Sequence, residues 1–371
     1  MFIELHILQN FAPSNLNRDE SNSPKDCVFG GVRRARISSQ CIKRSIRSHP
    51  SFEAETNVET AYRTRLLATI ISDLLQGDGK PKEESDKAAS DLVSALLGGV
   101  DAKKPEQSKV LFYTNQEEKE MLTDRLLDEW DKLAEEKSRK EVMTGIVNDF
   151  IKIFQNRTSA PDIAMFGRML AEEPKLNLDA AAQVAHAIST HRANMEFDFF
   201  TAVDDLQKEG ETGAGMMGVV GFNAATFYRY ANIDFNQLVR NLDGEEDFAR
   251  ASVRGFLKAA ALAIPTGKQN SFAAQNPPSF LMAVVRKNGG TWSMANAFEK
   301  PINASGDTSL LTASIEALDT YWGDIQAFYG GEASPFVAMV GTDASLKNLS
   351  PYIVPTLEAW LDGVLSEVER G

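Results

Sequence analysis

Six positively charged side chains lie between residues 27 and 52, in a stretch that contains no Asp or Glu. They are Arg33, Arg34, Arg36, Lys43, Arg44 and Arg47. The chain of 371 residues has a formal net charge of −13, so without these six cations 33 basic side chains stand against 52 acidic ones, a net charge of −19. The rest of the protein would repel a polyphosphate. Any attraction for a polyanion must therefore be local to this stretch.

The spacing of these residues predicts a loop that enters a helix. Ser38 or Ser39 suits the N-cap, and a free helix N-terminus would add N–H groups and a partial positive charge to the arginines. Ile42 and Ile46 share an apolar face, and the polar face carries Gln40, Lys43, Arg44 and Arg47. A solvated basic face is the commoner structure for one charged helix, but such faces usually mix both signs.

Length and composition indicate a globular protein of two or three structural units, because 43% of the residues are hydrophobic. No run of eighteen apolar residues occurs, and MFIELHILQN alternates like a strand and lacks the features of a signal peptide, so we expect a cytoplasmic protein. Cys27 and Cys41 are too few for a disulfide framework and are not spaced for zinc. A pI near 5.0 argues against a generally basic nucleic-acid binder but permits a local groove.

The sequence predicts neither a metal site nor a cofactor. It has no G-x-S-x-G, H-E-x-x-H or paired-cysteine pattern and no complete Walker A motif. His186 and His191 would fall on different sides of a helix, and the pair Asp204 and Asp205 is more typical of a strand end than of a magnesium site. RNA cleavage stays open, because one histidine near a phosphate can perform acid–base chemistry, and His6 or His49 could lie near the basic stretch.

The first half of the chain begins with a predicted strand over residues 2–9 that has one face in a core, followed by a polar loop over 10–26. Apolar spacing then predicts helices over 62–75, 87–97 and 116–136. A loop near residue 167 should carry Met165, Arg168 and Met169, and such methionines are more often core fillers than wedges against a base.

The second half predicts a helix over 178–190 and then two strands that flank a Gly-rich segment over 210–221, which together make a long hairpin arm. Further helices are predicted over 245–264, 308–329 and 356–369, and strands over 279–286 and 335–340. Strands and helices alternate outside the helical block, so the pattern predicts an α+β sheet domain of the ferredoxin or RRM kind with residues 59–180 inserted.

Five segments resemble the CasC family, the backbone subunits of the type I-E CRISPR surveillance complex, Cascade. They are NLNRDE, FGGVRRARISSQCIKR, FDFFTAVDDLQ, FYRYANI and SMANAFEK, spread from Asn15 to Lys300. The resemblance implies an RRM-like (ferredoxin-like) palm, an inserted helical fingers domain and a β-hairpin thumb. The corresponding ranges are palm 1–58, fingers 59–180, palm 181–200, thumb 201–225 and palm 226–371.

The resemblance also implies a function. Members of the family bind guide RNA (crRNA) without catalysis, stack head to tail along it, join other Cascade subunits and present the guide to target DNA. The residues implied to contact RNA are Arg18, Lys25, Ser38, Gln40, Lys43, Arg47, Met169, Phe199, Phe200 and Lys300. Phe199 stands where relatives carry a tryptophan. Phe199 and Phe200 could equally be core aromatics, and the thumb tip departs from the family pattern.

Two other classes of function remain possible from the sequence. One is an RRM-like endoribonuclease that processes CRISPR precursor RNA, and the other is a structural protein that polymerises without RNA. Cleavage that depends on His6 or His49 would favour the first, and filaments in nuclease-treated samples would favour the second.

Overall fold

The structure is a computed structural model that describes residues 1–104, 106–202 and 216–371. These residues form two compact units. The sheet unit comprises Met1–Phe52, Gln183–Ile233 and Val253–Gly371, and the helical unit comprises Glu53–Ala182 and Asp234–Ser252. The sequence pattern had placed the last of these segments with the sheet. Most of the predicted Gly-rich tip, together with Asp204 and Asp205, lies outside the described residues.

The described strands and helices belong to a mixed fold. The strands are β1 (Phe2–Ser14), β2 (Asp26–Phe29), β3 (Val32–Ile37), β4 (Tyr62–Thr64), β5 (Phe112–Thr114), β6 (Ala182–Val184), β7 (Ala187–Ser189), β8 (Glu196–Ala202), β9 (Met216–Asp234), β10 (Phe280–Arg286) and β11 (Ala333–Met339). The helices are α1 (Ser39–Arg47), α2 (Pro50–Thr56), α3 (Leu67–Gly77), α4 (Lys82–Leu97), α5 (Gln116–Asp128), α6 (Glu136–Phe154), α7 (Pro161–Phe166), α8 (Phe235–Asn241), α9 (Glu246–Leu262), α10 (Gln269–Phe272), α11 (Leu310–Tyr329) and α12 (Leu357–Glu369).

The main sheet has the strand order β11-β10-β1-β9-β7-β3-β2, and β6 and β8 also pair with β9. The pairings β1–β10, β10–β11, β2–β3, β3–β7, β7–β9 and β8–β9 are antiparallel. The α+β class is therefore confirmed in its coarse form, as an antiparallel sheet combined with helices.

Strand β1 is buried on both faces, so the prediction of a single buried face was wrong. On one face Leu8 belongs to a core with Phe280 of β10 and Ile315 of α11. On the other face Leu5 and Ile7 meet Ile42 and Ile46 of α1 around a small cavity. Helices on both sides of the strand exclude water from both sets of alternating side chains.

The first part of the basic stretch is a hairpin rather than the predicted loop. Asp26–Phe29 pairs with Val32–Arg33–Arg34–Ala35 around Gly30 and Gly31, whose φ angles are +59° and +76°. Two successive positive φ angles are typical of a tight hairpin turn, and glycine adopts them without steric cost.

Two predicted helices also differ from the structure. The 178–190 segment contains β6 and β7, because Ala187 and Ile188 pair with Ile37 and Arg36 of β3 and this pairing overrides the helix propensity of its alanines. The 116–136 segment leaves the α-helix after Asp128 and makes a separate 3-10 turn at Trp130–Leu133 before α6 begins. The turn allows α6 to pack back against α5.

The helical unit has its own core. Apolar residues of α3 to α6 form this core, among them Leu67, Leu92, Leu122 and Phe150. The predicted 62–75 helix starts late, because Tyr62–Thr64 forms strand β4 and pairs with β5. In the predicted loop near residue 167, Pro161–Phe166 forms the short helix α7. No helix among the described residues combines the length and apolarity needed to cross a bilayer.

Candidate nucleic-acid interface

Ser38, one of the two residues predicted as the N-cap, fixes the start of α1. Its hydroxyl oxygen accepts a hydrogen bond from the Cys41 N–H at 3.3 Å, and its own N–H donates to Asn17 Oδ1 at 2.8 Å. Asn17 therefore connects the loop after β1 to the N-terminus of α1. Ile42 and Ile46 are buried and hold the helix to the sheet, as their spacing predicts.

A cleft of about 890 Å³ opens beside this junction, and we call it the loop–helix cleft. It is lined by residues 16–19 and 22, by one side of α1 and the segment after it, and by residues of the 263–267 segment. Gly267 allows the last wall to approach the first, because a Cβ there would lie 2.2 Å from the Leu16 carbonyl oxygen. Arg18, Ser38 and Gln40, three of the residues implied by the family resemblance, line this one cleft.

The cleft presents cations and neutral hydrogen-bonding groups. Arg18 is exposed, and its Nη1 donates to Asn22 Oδ1 at 3.1 Å. Asp19 also lines the cleft, but its carboxylate accepts hydrogen bonds from the N–H groups of Ser21 and Ser23 and from the Ser21 hydroxyl. These bonds, that of the Ser21 hydroxyl above all, lower the pKa of Asp19. The loop thus occupies its own carboxylate and leaves Arg18 exposed.

Helix α1 divides its cations between two adjacent strips. Gln40, Arg44 and Ser48 are spaced four residues apart and line the cleft, together with Cys41 and Ser45. Lys43 and Arg47 are half-buried on the neighbouring strip and are not among the residues that line the cleft. Arg44 was absent from the residues implied by the resemblance, although its place four residues after Gln40 is the signal that could have identified it.

Lys25 is joined to the cleft through the backbone. Its N–H donates to the carbonyl oxygen of Asn17 at 2.9 Å, and its own carbonyl accepts from the Arg36 N–H at 2.9 Å. The Lys25 side chain is half-buried, close enough to Cys41 for its charge to affect that thiol, although burial is the larger effect and raises the pKa of Cys41. Lys25 therefore lies between the cleft and strand β3.

The arginines of the hairpin contribute less surface charge than the sequence suggests. Arg34 is fully buried, and its guanidinium donates to the carbonyl oxygens of Phe29, Ser189, Phe298 and Glu299. Burial lowers the pKa of Arg34. Arg33 is exposed and forms an ion pair with Asp26 at 3.1 Å. Arg34 therefore holds the hairpin in place and is inaccessible to a ligand.

Lys300 lies beside the turn of this hairpin. The residue before it, Glu299, packs so closely against the turn that a Cβ at Gly30 would be 1.7 Å from the Glu299 carbonyl oxygen. Lys300 itself is exposed and is not among the residues that line the loop–helix cleft.

Strands β8 and β9 form a hairpin, and the side chains of residues 196–201 in β8 are exposed. Phe199 pairs with Val219 and Phe200 with Gly218, so the two phenylalanines point to opposite faces. Phe199 is 62% exposed and Phe200 is 39% exposed, with its ring lying over Gly218. Neither ring belongs to the core of the chain. Exposed Phe197, Met217 and Val219 accompany Phe199 on its face.

Met169 is an exposed residue of the helical unit, and 89% of its surface is accessible. Arg168 beside it is buried and paired with Glu118, while Met165 is fully buried. The expectation of core-filling methionines is therefore confirmed for Met165 and wrong for Met169. Met169 lines a shallow depression with Arg63, Tyr113 and Asn177.

The histidines differ in their access to the cleft. His6 is completely buried in the sheet, where its Nδ1 lies 2.9 Å from the Tyr228 hydroxyl and its Nε2 lies 3.5 Å from Glu4, so it cannot meet RNA. His49 lines the loop–helix cleft, and its Nδ1 accepts from the Ser51 N–H at 3.2 Å. Burial lowers the pKa of His49. No three His, Cys, Asp or Glu side chains converge as a metal site in the described part of the chain.

A cleft with cations, hydroxyls and amides beside a sheet, together with a hairpin of exposed aromatics, is typical of proteins that hold single-stranded nucleic acid. The sequence profile of the CT1975-like protein family matches residues 3–359, and the chain belongs to that family.

Solved structures extend this result to the whole chain. A chain of a structure described as "CRISPR RNA-guided surveillance complex, pre-nicking" is 31% identical, with a TM-score of 0.87 over 99% of this chain and 100% of that one. A chain of a "CRISPR RNA-guided surveillance complex" is 27% identical, with a TM-score of 0.64 over the same shares. A comparison with curated protein sequences finds no match. The family resemblance inferred from the motifs is confirmed.

Proposed function

We propose that this protein is a guide-RNA-binding backbone subunit of a Cascade complex and that it holds RNA without cutting it. The observation that carries the proposal is the loop–helix cleft, where Arg18, Ser38, Gln40 and Arg44 line one surface in a chain that matches a surveillance-complex subunit over its full length. Contacts of this kind fix a strand by its backbone and do not distinguish bases. A subunit that serves many guide sequences requires this property.

The proposal extends to the exposed apolar residues. Phe199 and Phe200 on the β8–β9 hairpin and Met169 in the helical unit would contact bases, because each is exposed where an isolated protein would usually bury it. In this assignment the sheet unit is the RRM-like palm, the helical unit the fingers and the β8–β9 hairpin the thumb. Lys25, Lys43, Arg47 and Lys300 would add phosphate contacts outside the cleft.

The partners follow from the same assignment. Copies of the chain would stack head to tail along one crRNA, with the apolar face of the hairpin covered by the next copy or by its guide. Such contacts are heterologous and do not close, so guide length and other Cascade subunits must limit the assembly. Base pairing between the guide and target DNA would supply sequence specificity.

The cleft is tested by the salt dependence of RNA binding. Replacing Arg18 and Arg44 together by glutamine should lower the magnitude of the slope of log K against log salt by roughly 1.4, at about 0.7 for each single-strand phosphate contact. The matched control replaces Lys287 and Arg370, two cations of the sheet unit that already pair with Glu367. An unchanged slope in the Arg18/Arg44 variant would show that the cleft does not hold RNA.

A precursor-processing endoribonuclease is the second candidate, favoured by one observation, the position of His49 in the cleft. Incubation of the RNA-free protein with precursor RNA distinguishes the two functions. Binding without cleavage supports the scaffold. Cleavage at a defined position that is lost in His49→Ala would establish the enzyme instead.

A further inference from the structure

A group of three basic side chains lies next to the loop–helix cleft, formed by Lys25, Arg36 and His186. Arg36 of β3 places its Nη1 3.2 Å from His186 Nδ1, and its Nε donates to the Asp26 carbonyl oxygen at 3.0 Å. The Arg36 N–H donates to the Lys25 carbonyl, and the Lys25 N–H donates to Asn17, which lines the cleft. Backbone hydrogen bonds thus place this group beside the proposed RNA path.

The hydrogen bond between Arg36 and His186 defines the protonation state of the imidazole. A guanidinium can only donate hydrogen bonds, so Nδ1 of His186 must accept and the ring must be neutral, with its proton on Nε2. Partial desolvation of the ring lowers the pKa of His186, and the charges of Arg36 and Lys25 lower it further. In the described part of the chain, these two cations, one on β3 and one before β2, are the charged groups that act on the ring.

The group lacks a counterion of its own. Within the described residues, no carboxylate forms an ion pair with Lys25, Arg36 or His186. His186 is exposed and Arg36 is half-buried, so a ligand can reach both. Two cations and a neutral imidazole without an acid partner constitute a site that an anion would stabilise, since an anion offsets the repulsion between Lys25 and Arg36 and favours the protonated ring.

We infer that Lys25, Arg36 and His186 bind one phosphate of the guide RNA and that His186 takes up a proton as the phosphate binds. A phosphate oxygen beside the ring favours the imidazolium, and both ring nitrogens can then donate to the RNA backbone or to ordered water. The inference rests on the proposed function and adds to it two residues, Arg36 and His186, and a dependence of affinity on pH.

The experiment measures the affinity of the RNA-free protein for a short fluorescent oligouridylate between about pH 5.5 and 7.5, at constant ionic strength. Uracil does not titrate in this range, so the pH dependence reports the protein. The affinity should rise as pH falls, by up to roughly tenfold per pH unit for one proton taken up. Calorimetry in two buffers of different ionisation enthalpy should count that proton directly.

Two variants assign the proton to its residue. His186→Gln should still bind the oligouridylate but show a much flatter pH profile, and His191→Gln, which removes a buried histidine that does not line the cleft, should keep the wild-type slope. A wild-type slope in His186→Gln, or an equal loss of slope in His191→Gln, overturns the inference and leaves RNA binding established. Absence of binding at every pH contradicts the proposed function itself. Circular dichroism at both ends of the pH range verifies that each variant is folded.

Discussion

Arg33 and Arg34 are neighbours in the sequence, but the same substitution should destabilise the protein much more at Arg34 than at Arg33. Replacement of either by methionine removes one positive charge and keeps most of the side-chain length. Arg34 is buried and donates to four carbonyl oxygens, whereas the Arg33 side chain is exposed and forms an ion pair with Asp26. Comparison of the two variants therefore isolates the role of burial.

The cost of Arg34→Met follows from the number of bonds lost. At about 1 kcal/mol for each net hydrogen bond, the loss of the four hydrogen bonds costs about 4 kcal/mol. Among the described residues no carboxylate pairs with Arg34, so removal of its buried charge offsets part of this cost, and we expect a net loss of roughly 2 to 4 kcal/mol in the free energy of unfolding. Arg33→Met loses one exposed ion pair and should cost less than about 1 kcal/mol.

Urea denaturation of the two variants and the wild type, followed by tryptophan fluorescence and circular dichroism, measures the difference. The midpoint should fall clearly for Arg34→Met and remain near the wild-type value for Arg33→Met. Equal midpoints for the two variants would refute the structural role of Arg34. Equal midpoints would also imply that the Arg34 guanidinium is accessible and could contact RNA.

Three further predictions concern single sites. Gly30→Ala should lower the melting temperature more than Gly31→Ala, because both have positive φ but only at Gly30 would the Cβ meet the Glu299 carbonyl, at 1.7 Å; similar melting temperatures would contradict the tight packing of the turn. His191 accepts from the Thr226 N–H through Nε2 and donates through Nδ1 to the Arg192 carbonyl, and burial lowers its pKa from 6.5. Below about pH 6.5 the unfolded chain therefore binds more protons than the folded one, so stability should fall as pH falls, and urea midpoints of His191→Gln should fall less steeply. Arg168→Met should cost roughly 3 to 5 kcal/mol because it leaves the Glu118 carboxylate buried without its cation, and Arg168→Met combined with Glu118→Gln should recover part of that loss in the same assay.

The sequence predicts best where local signals decide the structure. Ser38 as a possible N-cap and the spacing of Ile42 and Ile46 sufficed to place α1, because capping and amphipathic spacing act within one or two turns. The alternation of FYRYANI likewise predicted part of β9. Helix α1 forms one wall of the loop–helix cleft, and β9 pairs with the strand that carries Phe199 and Phe200.

Distant contacts explain what the sequence did not predict. The burial of Arg34 depends on carbonyl groups at residues 189, 298 and 299, far away in the chain. The strands at 182–189 depend on pairing with β3 and β9, which outweighs the helix propensity of their alanines. None of these contacts has a local signature.

The central claim is that the chain holds a guide RNA along its length, and the RNA that co-purifies with it tests this most directly. Protein isolated from its native source under mild salt conditions should carry RNA of uniform length that resists nuclease until the complex is dissociated. Digestion of that RNA after dissociation should then prevent the protein from reassembling. Protein that is isolated free of RNA, or filaments that persist after the RNA is removed, would contradict the claim.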